Sequence, residues 1–533
     1  MNENTKTSRR TLPVLSSPVA GGADAGISVA RAAGLRVGVV TLGCDKNTVD
    51  SERVMGRLAG AGARVATGVE DADVVVINTC GFIDAAKEES IDAILEAVRL
   101  KGEGRTRAVV AMGCLVQRYK AELEAEIPEV DLFLGLTEVD RLLPELEARG
   151  LLPPPETLVP TMERPLRVLS TASPHTSFLK ISEGCDHGCA FCAIPLMRGK
   201  HRSVPIERLV REAQELEAAG VVELNIISQD TTWYGRDWRG GRIDAGVEEP
   251  FVGRVFAGMA GPAANPDAVR RALADAGAMA APGRAANGAP AEAGGGVDWR
   301  RGALPELLRA LLAETGVPWF RLFYMYPSGI TPELVELIAR EPRILPYIDM
   351  PIQHGTDSVL ERMRRPERQA TIRERVGWLR EAVPGLVLRS TVIVGFPGET
   401  DEEFETMLEL LEEIRFDHLG AFAYSQEEGT LAASMPGQVP EEVKRERLER
   451  VFDLQRSIAL EKNEALIGQT VQVLVDSVED EGEAFGRTAG QAPEIDGATR
   501  IFGADGVRPG EFVRVRITEA YEDELVGELC TEG

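Results

Sequence analysis

The sequence predicts an α/β protein with three folded parts: an N-terminal parallel α/β domain, a central partial (β/α) barrel and a small C-terminal all-β barrel. Three observations support this fold class. Buried-strand patterns alternate with helix patterns along much of the 533 residues, which is typical of parallel sheets with crossover helices. A proline-rich run, "LLPPPETLVP", divides these alternations into two groups. Near the C-terminal end the pattern changes to short strands with glycine turns.

The first domain is predicted to span residues 35–150, after a polar, Ala/Gly/Ser-rich extension at residues 1–34 that we expect to be disordered. Its three strands read "LRVGVVTLGC", "ADVVVINTC" and "RAVVAMGC". A helix is expected to begin near Asp50, and a second helix follows the second strand. In that second helix the spacing i, i+3, i+4 and i+7 predicts one buried face, formed by Ile91, Ile94, Leu95 and Val98.

A linker at residues 151–170 leads into the predicted central domain, residues 171–460. Its first strand, "TSFLKISEGC", is followed by five more strand patterns: "VVELNIIS", "WFRLFYMYP", "LPYIDMPIQ", "LVLRSTVIVGF" and "HLGAFAYS". Six strands with helices between most of them predict a partial (β/α) barrel, whose chemistry lies at the carboxyl ends of the strands. Between residues 257 and 296, 28 of 40 residues are Ala, Gly or Pro. We therefore expect a disordered insertion at residues 240–302.

The end of the chain, residues 464–533, is predicted to form the small β-barrel, because strand patterns such as "TVQVLVDSVED" alternate there with glycine turns. This part is acidic: residues 470–533 hold 15 acidic and 5 basic side chains, and the whole chain has a net charge of −26. A surface that grips RNA phosphates should be basic. The charge balance argues against tRNA as a partner and is compatible with a basic protein.

The compartment is predicted from what the apolar runs and the N-terminal segment look like. The apolar runs are far shorter than the roughly 18 residues that a membrane-spanning helix needs. No pattern of a charged stretch followed by an apolar one, typical of a secretion signal, is visible at the start. We expect a cytoplasmic protein without a membrane partner. In a reducing cytosol, clustered cysteines indicate metal or redox sites rather than disulfides.

Three of the seven cysteines stand at the ends of the three strands predicted in the first domain. These are Cys44, Cys80 and Cys114, in the strings "TLGC", "NTC" and "MGC". Because ligands bind outside the carboxyl ends of strands in open parallel sheets, these cysteines are expected to converge. The alternative is that each is a small buried hydrophobic residue. Three cysteines at the same point of the unit favour a shared metal site.

A second set, Cys185, Cys189 and Cys192, lies within eight residues in "GCDHGCAFCAIP". Zinc in a structural site takes four protein ligands, and the fourth would be His187 or a more distant histidine. A four-iron cluster held by three thiolates would instead keep one iron open for a small molecule. The spacing alone leaves both alternatives open.

The string "CDHGCAFC", with an aromatic Phe191 before its last cysteine, resembles the radical S-adenosylmethionine (SAM) enzymes. With the three upstream cysteines and the terminal β-barrel, the chain resembles the methylthiotransferases of that superfamily, and the small barrel resembles their TRAM module. The resemblance implies two [4Fe–4S] clusters. One, on Cys185, Cys189 and Cys192, would cleave SAM; the other, on Cys44, Cys80 and Cys114, would be an auxiliary cluster that carries the sulfur. It further implies that one SAM methylates this sulfur and a second SAM provides a radical.

Local strings point to one branch of this family. "LGCDKNTVDSE", "CAFCAIPLMRGKHRS", "ISQDTTWYG" and "APEIDG" resemble the branch that modifies the β-carbon of an aspartate in small-subunit ribosomal protein S-twelve. That branch usually has proline where Asp45 stands and Ser-Arg-Pro at residues 203–205, where this chain has Ser-Val-Pro. The resemblance implies an electron donor such as flavodoxin or ferredoxin. Three alternatives remain: a tRNA adenosine methylthiotransferase, a two-cluster electron carrier and a zinc-binding interaction protein.

Further candidate residues come from strings at strand ends. Gly395, Gly398 and Glu399, in "TVIVGFPGET", are candidates for contact with SAM, and the alternative is an ordinary strand-to-helix turn with a carboxylate near the helix N-terminus. Phe191 would lie near the adenine or pack the loop. Gln353 and His354, in "DMPIQHG", would contact substrate or SAM or be structural. Lys200 and Arg202, in "RGKHRS", are weaker candidates, and the alternative for both is simply solvated charge.

Overall fold

The computed structural model describes residues 34–66, 68–152, 167–169, 173–238, 303–479 and 482–530. The predicted disordered extension before residue 34, the predicted insertion at 240–302 and most of the predicted linker lie outside these residues. No helix in the described ranges is both long and apolar enough to cross a membrane.

The N-terminal part contains a five-stranded sheet with strand order β2-β1-β3-β4-β5, in which each neighbouring pair is parallel. Its central strands β3 and β4 are buried along their whole length, which fits their nearly continuous apolar sequences. The predicted parallel α/β architecture is confirmed. The elements are β1 (Arg36–Thr41), α1 (Asp45–Gly60), β2 (Arg64–Val65), β3 (Val74–Thr79), α2 (Asp84–Gly102), β4 (Ala108–Gly113), α3 (Cys114–Glu126), β5 (Leu132–Leu134) and α4 (Leu142–Ala148).

Two details differ from the sequence prediction. Helix α1 begins at Asp45 rather than near Asp50, because the chain turns directly from β1 into the helix with Cys44 as its N-cap. The predicted buried face of α2 is also wrong at Leu95, which is 48% exposed. The buried residues of α2 are Ser90, Ile94, Ala97 and Leu100, so the true face is displaced around the helix from the predicted one.

The central part is a six-stranded parallel sheet with strand order β13-β12-β11-β10-β9-β6. Each strand lies beside the next one in sequence, which is the winding of a partial (β/α) barrel. The predicted central architecture is therefore confirmed. The elements are β6 (Thr176–Lys180), β7 (Ser182–Glu183), α5 (Ile194–Arg198), β8 (Arg202–Ser203), α6 (Ile206–Ala218), β9 (Glu223–Ile227), α7 (Leu304–Glu314), β10 (Trp319–Leu322), α8 (Pro332–Arg340), β11 (Ile344–Asp349), α9 (Asp357–Arg362), α10 (Gln369–Ala382), β12 (Val387–Val394), α11 (Asp401–Ile414), β13 (His418–Ala423) and α12 (Glu441–Glu464).

The C-terminal part is a closed five-stranded barrel with strand order β14-β15-β16-β18-β17. Its pairs are antiparallel except β16 with β18, which run parallel. Inward-facing side chains such as Val473, Val475, Ile501 and Val515 form its core. The predicted all-β barrel is confirmed. The strands are β14 (Thr470–Val478), β15 (Glu483–Thr488), β16 (Ala498–Phe502), β17 (Phe512–Ala520) and β18 (Glu524–Leu529).

Buried ion pairs join helix α1 of the N-terminal part to the central part. Arg53 donates to Glu212 at 2.9 Å, and Arg167 pairs with both Glu52 and Glu212, the latter at 3.0 Å. Burial alone would raise the pKa of Glu212, but Arg53 and Arg167 lower it to about 2. The junction between these two parts thus contains a paired set of buried charges beside its apolar contacts.

A second buried network attaches the C-terminal barrel to the central sheet. The Glu223 carboxylate accepts from Arg321 at 2.9 Å and forms an ion pair with Arg487 of β15 at 2.6 Å. Arg487 also pairs with Asp476 at 2.7 Å, and Asp476 lies 2.9 Å from His175 Nε2. Arg487 of the barrel therefore finds a charged partner on β9, and Asp476 of the barrel lies against His175, just before β6.

Candidate functional site

Three cysteines meet at the carboxyl edge of the N-terminal sheet. Cys44 follows β1, Cys80 follows β3, and Cys114 is the first residue of α3 after β4. Because β1, β3 and β4 are successive neighbours in the sheet, these positions are adjacent in space. Cys80 and Cys114 are buried, whereas Cys44 is exposed. The structure brings together the three residues that the strand-end pattern singled out.

The turns that carry these cysteines are packed closely. Gly43 has a φ of +88°, and a Cβ placed there would lie 2.7 Å from both Cβ and Sγ of Cys80. Gly113 has a φ of +107°, and its Cβ would lie 2.5 Å from the Asn78 side-chain oxygen. Both positions require glycine for conformation and for space. Glycine therefore allows the turns to approach one another.

The donor set fits a group that supplies positive charge. Burial, and then the neighbouring Cys44, raise the pKa of the Cys80 thiol to about 11. Burial raises the pKa of the Cys114 thiol to about 12, although Arg198 acts in the opposite direction. Thiolates bind metals, and a metal ion or cluster deprotonates the thiols that it binds. Three grouped thiols, two of them buried, fit the chemistry of an iron–sulfur cluster.

The second set of cysteines lies in a loop closed by a two-stranded antiparallel ladder. Strands β7 and β8 pair through residues 182–183 and 202–203 on either side of the loop. Gly184 has a φ of +72°, and a Cβ there would collide with the Lys200 carbonyl oxygen, so the loop closes tightly at this point. Burial raises the pKa of the Cys185 and Cys192 thiols to about 12 in each case. This donor set also fits a group that supplies positive charge.

The imidazole of His187 already has partners in the protein. Its Nε2 lies 2.7 Å from the Asp230 carboxylate, and its ring stacks on Tyr326 with centroids 4.2 Å apart. Within the described ranges, no group of three or more His, Cys, Asp or Glu side chains could hold a metal ion. The imidazole Nε2 of His187 is therefore already engaged by the Asp230 carboxylate.

Helix α5 joins the two cysteine sets. It begins two residues after Cys192, and its Met197 packs with Cys114 in one apolar cluster. Arg198, its last residue, donates to Asn47 at 2.6 Å and to Glu183 at 2.8 Å. The Arg198 charge also acts on the pKa of Cys80 and Cys114. The two sets are therefore linked by one helix, through its buried residues Met197 and Arg198.

The chain departs from the sequence pattern of the resembled branch at Asp45 and at Val204, and the structure shows what surrounds each of these side chains. The Asp45 carboxylate accepts from Tyr324 Oη at 3.3 Å and lies 3.2 Å from Lys46 Nζ, which in turn lies 3.0 Å from the Tyr324 ring centroid. Val204 is partly buried against the core of the central sheet. Neither position contributes a side chain to a cysteine set.

The candidate SAM residues lie at the carboxyl end of β12. Gly395 and Gly398 have φ values of +71° and +74°. The Glu399 carboxylate accepts from Phe396 N at 3.0 Å and from Arg447 at 2.8 Å, which holds it inside the protein. Phe191 packs with Phe396 in an apolar cluster beside the cysteine loop. Contact of these residues with SAM stays a prediction.

The other two candidate positions are at the end of β11 and in the cysteine loop. Gln353 has a φ of +69° and bridges to Val392 of β12, so its backbone continues the sheet. His354 is fully buried and accepts from Thr356 N through Nδ1 at 3.0 Å. Lys200 is exposed and Arg202 is half-buried, as expected of solvated charge.

Two residues beside the second set, Tyr326 and Arg365, were missed by the sequence prediction. Tyr326 Oη lies 3.8 Å and Arg365 Nη1 4.0 Å from the Cys189 sulfur. Tyr326 stands near the end of the predicted strand "WFRLFYMYP", and the carboxyl end of a strand is a signal for a functional position. Arg365 carries no such signal, because it lies in a turn that reaches Cys189 only through the tertiary fold.

Each of the three folded parts matches a known protein family. The "Uncharacterized protein family UPF0004" matches residues 36–135. The "Radical SAM superfamily" matches residues 179–239 and 293–411. The "TRAM domain" matches residues 467–530.

Curated relatives match along nearly the whole chain. A protein of Anaeromyxobacter sp. named "Ribosomal protein uS12 methylthiotransferase RimO" is 43% identical over 500 residues, which are 93% of each chain. Proteins with the same name from Symbiobacterium thermophilum and Geobacter sulfurreducens are 41% and 39% identical. Those two matches cover 93% of this chain and 91% and 99% of the relatives.

Proposed function

The chain belongs to the RimO family of ribosomal protein uS12 methylthiotransferases, and from that premise we propose that it transfers a methylthio group to the β-carbon of an aspartate in uS12. It is a transferase with a radical SAM domain and a TRAM domain. The observation that carries the proposal is the arrangement of two cysteine triads joined by α5 within a chain that matches these relatives over 93% of its length.

The radical SAM domain uses SAM and a [4Fe–4S] cluster, which together supply a radical that removes hydrogen from an unactivated carbon. We assign Cys185, Cys189 and Cys192 to that cluster. We assign Cys44, Cys80 and Cys114 to a second [4Fe–4S] cluster. Both donor sets are grouped and largely buried, which supports the assignment.

The chain's own residues hold and position these groups. The ladder of β7 and β8 fixes the ends of the second cysteine loop, and Arg198 links that loop to the first set through Asn47. Cys80, Cys114, Cys185 and Cys189 are buried, which limits the contact of these four ligands with water. Phe191, Gly395, Gly398 and Glu399 are proposed to form the SAM side of the site.

The partner proposal rests on charge as well as on the relatives' name. The substrate protein would be uS12, bound on the ribosome in the cytoplasm, with a flavodoxin or ferredoxin as electron donor. Ribosomal proteins are typically basic, and this chain carries a net charge of −26. The proposed domain limits are residues 35–150, 171–460 and 464–533.

The decisive experiment is mass spectrometry of uS12 and of tRNA from cells that lack this protein. We expect uS12 to lose the mass of one methylthio group while tRNA adenosines keep their modifications. Expression of the wild-type chain should restore the mass, and expression of the Cys189→Ala variant should not. If the purified protein methylthiolated tRNA adenosine and left uS12 untouched, the proposed substrate would be wrong.

The number of clusters is tested separately by iron analysis. Two [4Fe–4S] clusters correspond to about eight irons per chain. Replacing Cys185, Cys189 and Cys192 together by Ala should leave roughly half of the iron. Loss of all iron, or of none, in that triple variant would contradict two independent sites.

A further inference from the structure

Two side chains outside the cysteine motif contact the Cys189 sulfur. Tyr326 Oη is 3.8 Å and Arg365 Nη1 is 4.0 Å from Sγ. Tyr326 follows β10, and Arg365 lies in the turn after α9, so neither belongs to the cysteine loop. Arg365 is only 2% exposed, which means that its charge acts in a poorly screened environment.

The guanidinium of Arg365 is fixed on several sides. Its face lies 3.9 Å from the Tyr326 ring centroid, and Nη2 donates to the Pro351 carbonyl at 3.1 Å. Nε is 3.1 Å from the Glu367 carboxylate, which also accepts from Ser328. These contacts leave Nη1 directed at the sulfur. The Glu367 carboxylate partly offsets the charge of Arg365 from the side of the guanidinium that faces away from Nη1.

The aromatic ring between these groups is also held in place. His187 stacks on Tyr326 at an interplanar angle of 4°, and Asp230 holds His187 through Nε2 at 2.7 Å. The Tyr326 hydroxyl therefore cannot swing away from Cys189 without breaking the stack. The Tyr326 hydroxyl and the Arg365 guanidinium are thus both held beside the Cys189 sulfur.

Positive charge and hydrogen bonds at the sulfur ligands of a cluster favour its reduced form. Reduction adds one negative charge to a site whose thiolates are already negative, so a nearby guanidinium stabilises the reduced form more than the oxidised form. Hydrogen bonds to the sulfurs act in the same direction and are established determinants of cluster potential.

We propose that Arg365 and Tyr326 are positioning residues that raise the reduction potential of the cluster assigned to Cys185, Cys189 and Cys192. This inference rests on the proposed function, because it requires that cluster. Their effect is to bring the cluster within reach of a cellular electron donor. Neither residue needs to touch SAM or the substrate for this role.

The test is a redox titration of the full-length, anaerobically reconstituted holoenzyme, followed by electron paramagnetic resonance. The electron paramagnetic resonance signal that changes on addition of SAM belongs to the cluster assigned to Cys185, Cys189 and Cys192. The Tyr326→Phe variant keeps the ring and loses the hydroxyl, and we expect its reduction equilibrium to shift about threefold toward the oxidised form. The Arg365→Gln, Glu367→Gln double variant removes the buried pair, and we expect a shift of about tenfold, which is about 59 mV for one electron.

Two further variants distinguish an effect of charge on the reduction potential from an effect of packing. Arg365→Lys keeps the positive charge and should recover part of the shift. Tyr347→Phe is the matched control, because Tyr347 also lies against a buried arginine, Arg321, with the guanidinium 4.6 Å from the ring. The Tyr347 hydroxyl donates to Asp496, and Arg321 donates to Glu223 and to the Ala489 carbonyl. Since none of these partners is a cysteine, the Tyr347→Phe variant should keep the wild-type potential.

Each outcome of the redox titrations either supports or contradicts the inference. Unchanged potentials in both Tyr326→Phe and the double variant, at full iron content, would overturn the inference and leave the proposed function intact. Loss of the cluster in Tyr326→Phe would also overturn it, because the hydroxyl would then be needed for assembly and not for potential. Absence of any SAM-sensitive signal in the wild-type protein would instead contradict the proposed function.

Discussion

At the scale of single residues, glycine decides how closely the first cysteine set can converge. Gly43 adopts a φ of +88° and sits where any Cβ would collide with Cys80. A substitution there would therefore displace a proposed cluster ligand as well as strain the backbone. The second cysteine set is in another part of the chain and would not be displaced directly.

We predict that Gly43→Ala lowers the iron content to roughly half while the SAM-sensitive cluster remains. Iron analysis and electron paramagnetic resonance of the purified variant measure this. Gly104→Ala is the matched control: Gly104 has a φ of +75°, but a Cβ at this position would meet no described atom within 4 Å. That control carries similar backbone strain and should keep all of its iron. Equal iron loss in both variants would mean that strain, and not the collision with Cys80, is responsible.

The Glu212 carboxylate makes stability depend on acid pH. Its pKa is about 2 in the folded protein, against the ordinary value of 4.5. A depressed folded pKa contributes stability that is fully present above about pH 4.5 and is lost as the pH falls toward 2. The contribution is of order 3 kcal/mol, given about 1.4 kcal/mol for each unit of pKa shift.

We predict that Glu212→Gln flattens the fall in unfolding temperature between about pH 4.5 and pH 2, and lowers that temperature at neutral pH. Thermal unfolding followed by circular dichroism across this range measures both effects. Glu122→Gln, at an exposed position on α3, is the control and should keep the wild-type profile. A variant as steeply pH-dependent as the wild type would exclude Glu212 as the source.

At the scale of elements, the sequence predicted most of the sheets and missed short or tertiary features. Strand-end cysteines were visible because a parallel sheet places all carboxyl ends at one edge. Strands β2 and β5, of 2 and 3 residues, are too short to show a periodicity. Contacts such as Arg365 with Cys189, separated by 176 residues, depend on how distant loops meet. The local sequence pattern holds no information on which distant residues come into contact.

The attachment of the C-terminal barrel through β15 gives a prediction at this scale. Arg487→Leu would leave the Glu223 carboxylate short of one of its two arginine partners. Breaking a buried pair by removing one member typically costs about 3–5 kcal/mol. We predict a large drop in unfolding temperature and faster amide hydrogen exchange in β14 and β15.

The matched control is Arg500→Leu in the neighbouring strand β16. Arg500 pairs with Glu483, but its side chain is 39% exposed, and exposed pairs contribute at most about 1 kcal/mol. Its variant should unfold close to the wild-type temperature. If both variants behaved alike, burial of the Glu223 network would not be what attaches the barrel.

At the scale of the whole molecule, the acidic charge should govern encounter with a basic partner. Opposite charges speed association, and salt screens them with a Debye length of about 8 Å at physiological ionic strength. We predict that association with purified uS12 slows as salt rises and that tRNA does not compete. Replacing Glu522, Asp523 and Glu524 by Lys should slow association further, as measured by stopped-flow fluorescence.

The control for that prediction changes the same net charge elsewhere. Glu122, Glu124 and Glu126 are exposed on α3, and their replacement by Lys should slow association less than the change in the C-terminal barrel. SAM cleavage without substrate should be equal in both triple variants. If both triple variants slowed association with uS12 equally, the effect would come from the total charge. If neither variant slowed it, the electrostatic argument for a basic partner would be lost.

The ion pairs of α1 also have a consequence for the order of events during synthesis. Glu52 meets Arg167 across 115 residues, and Arg53 meets Glu212 across 159. At about 5–20 residues per second, a ribosome needs roughly 6–23 s to add the 115 residues between the first two partners. Helix α1 is therefore translated before either of these two arginine and glutamate partners. The first cysteine set is likewise complete in the chain, at Cys114, before translation of Met197, the residue of α5 that packs against Cys114.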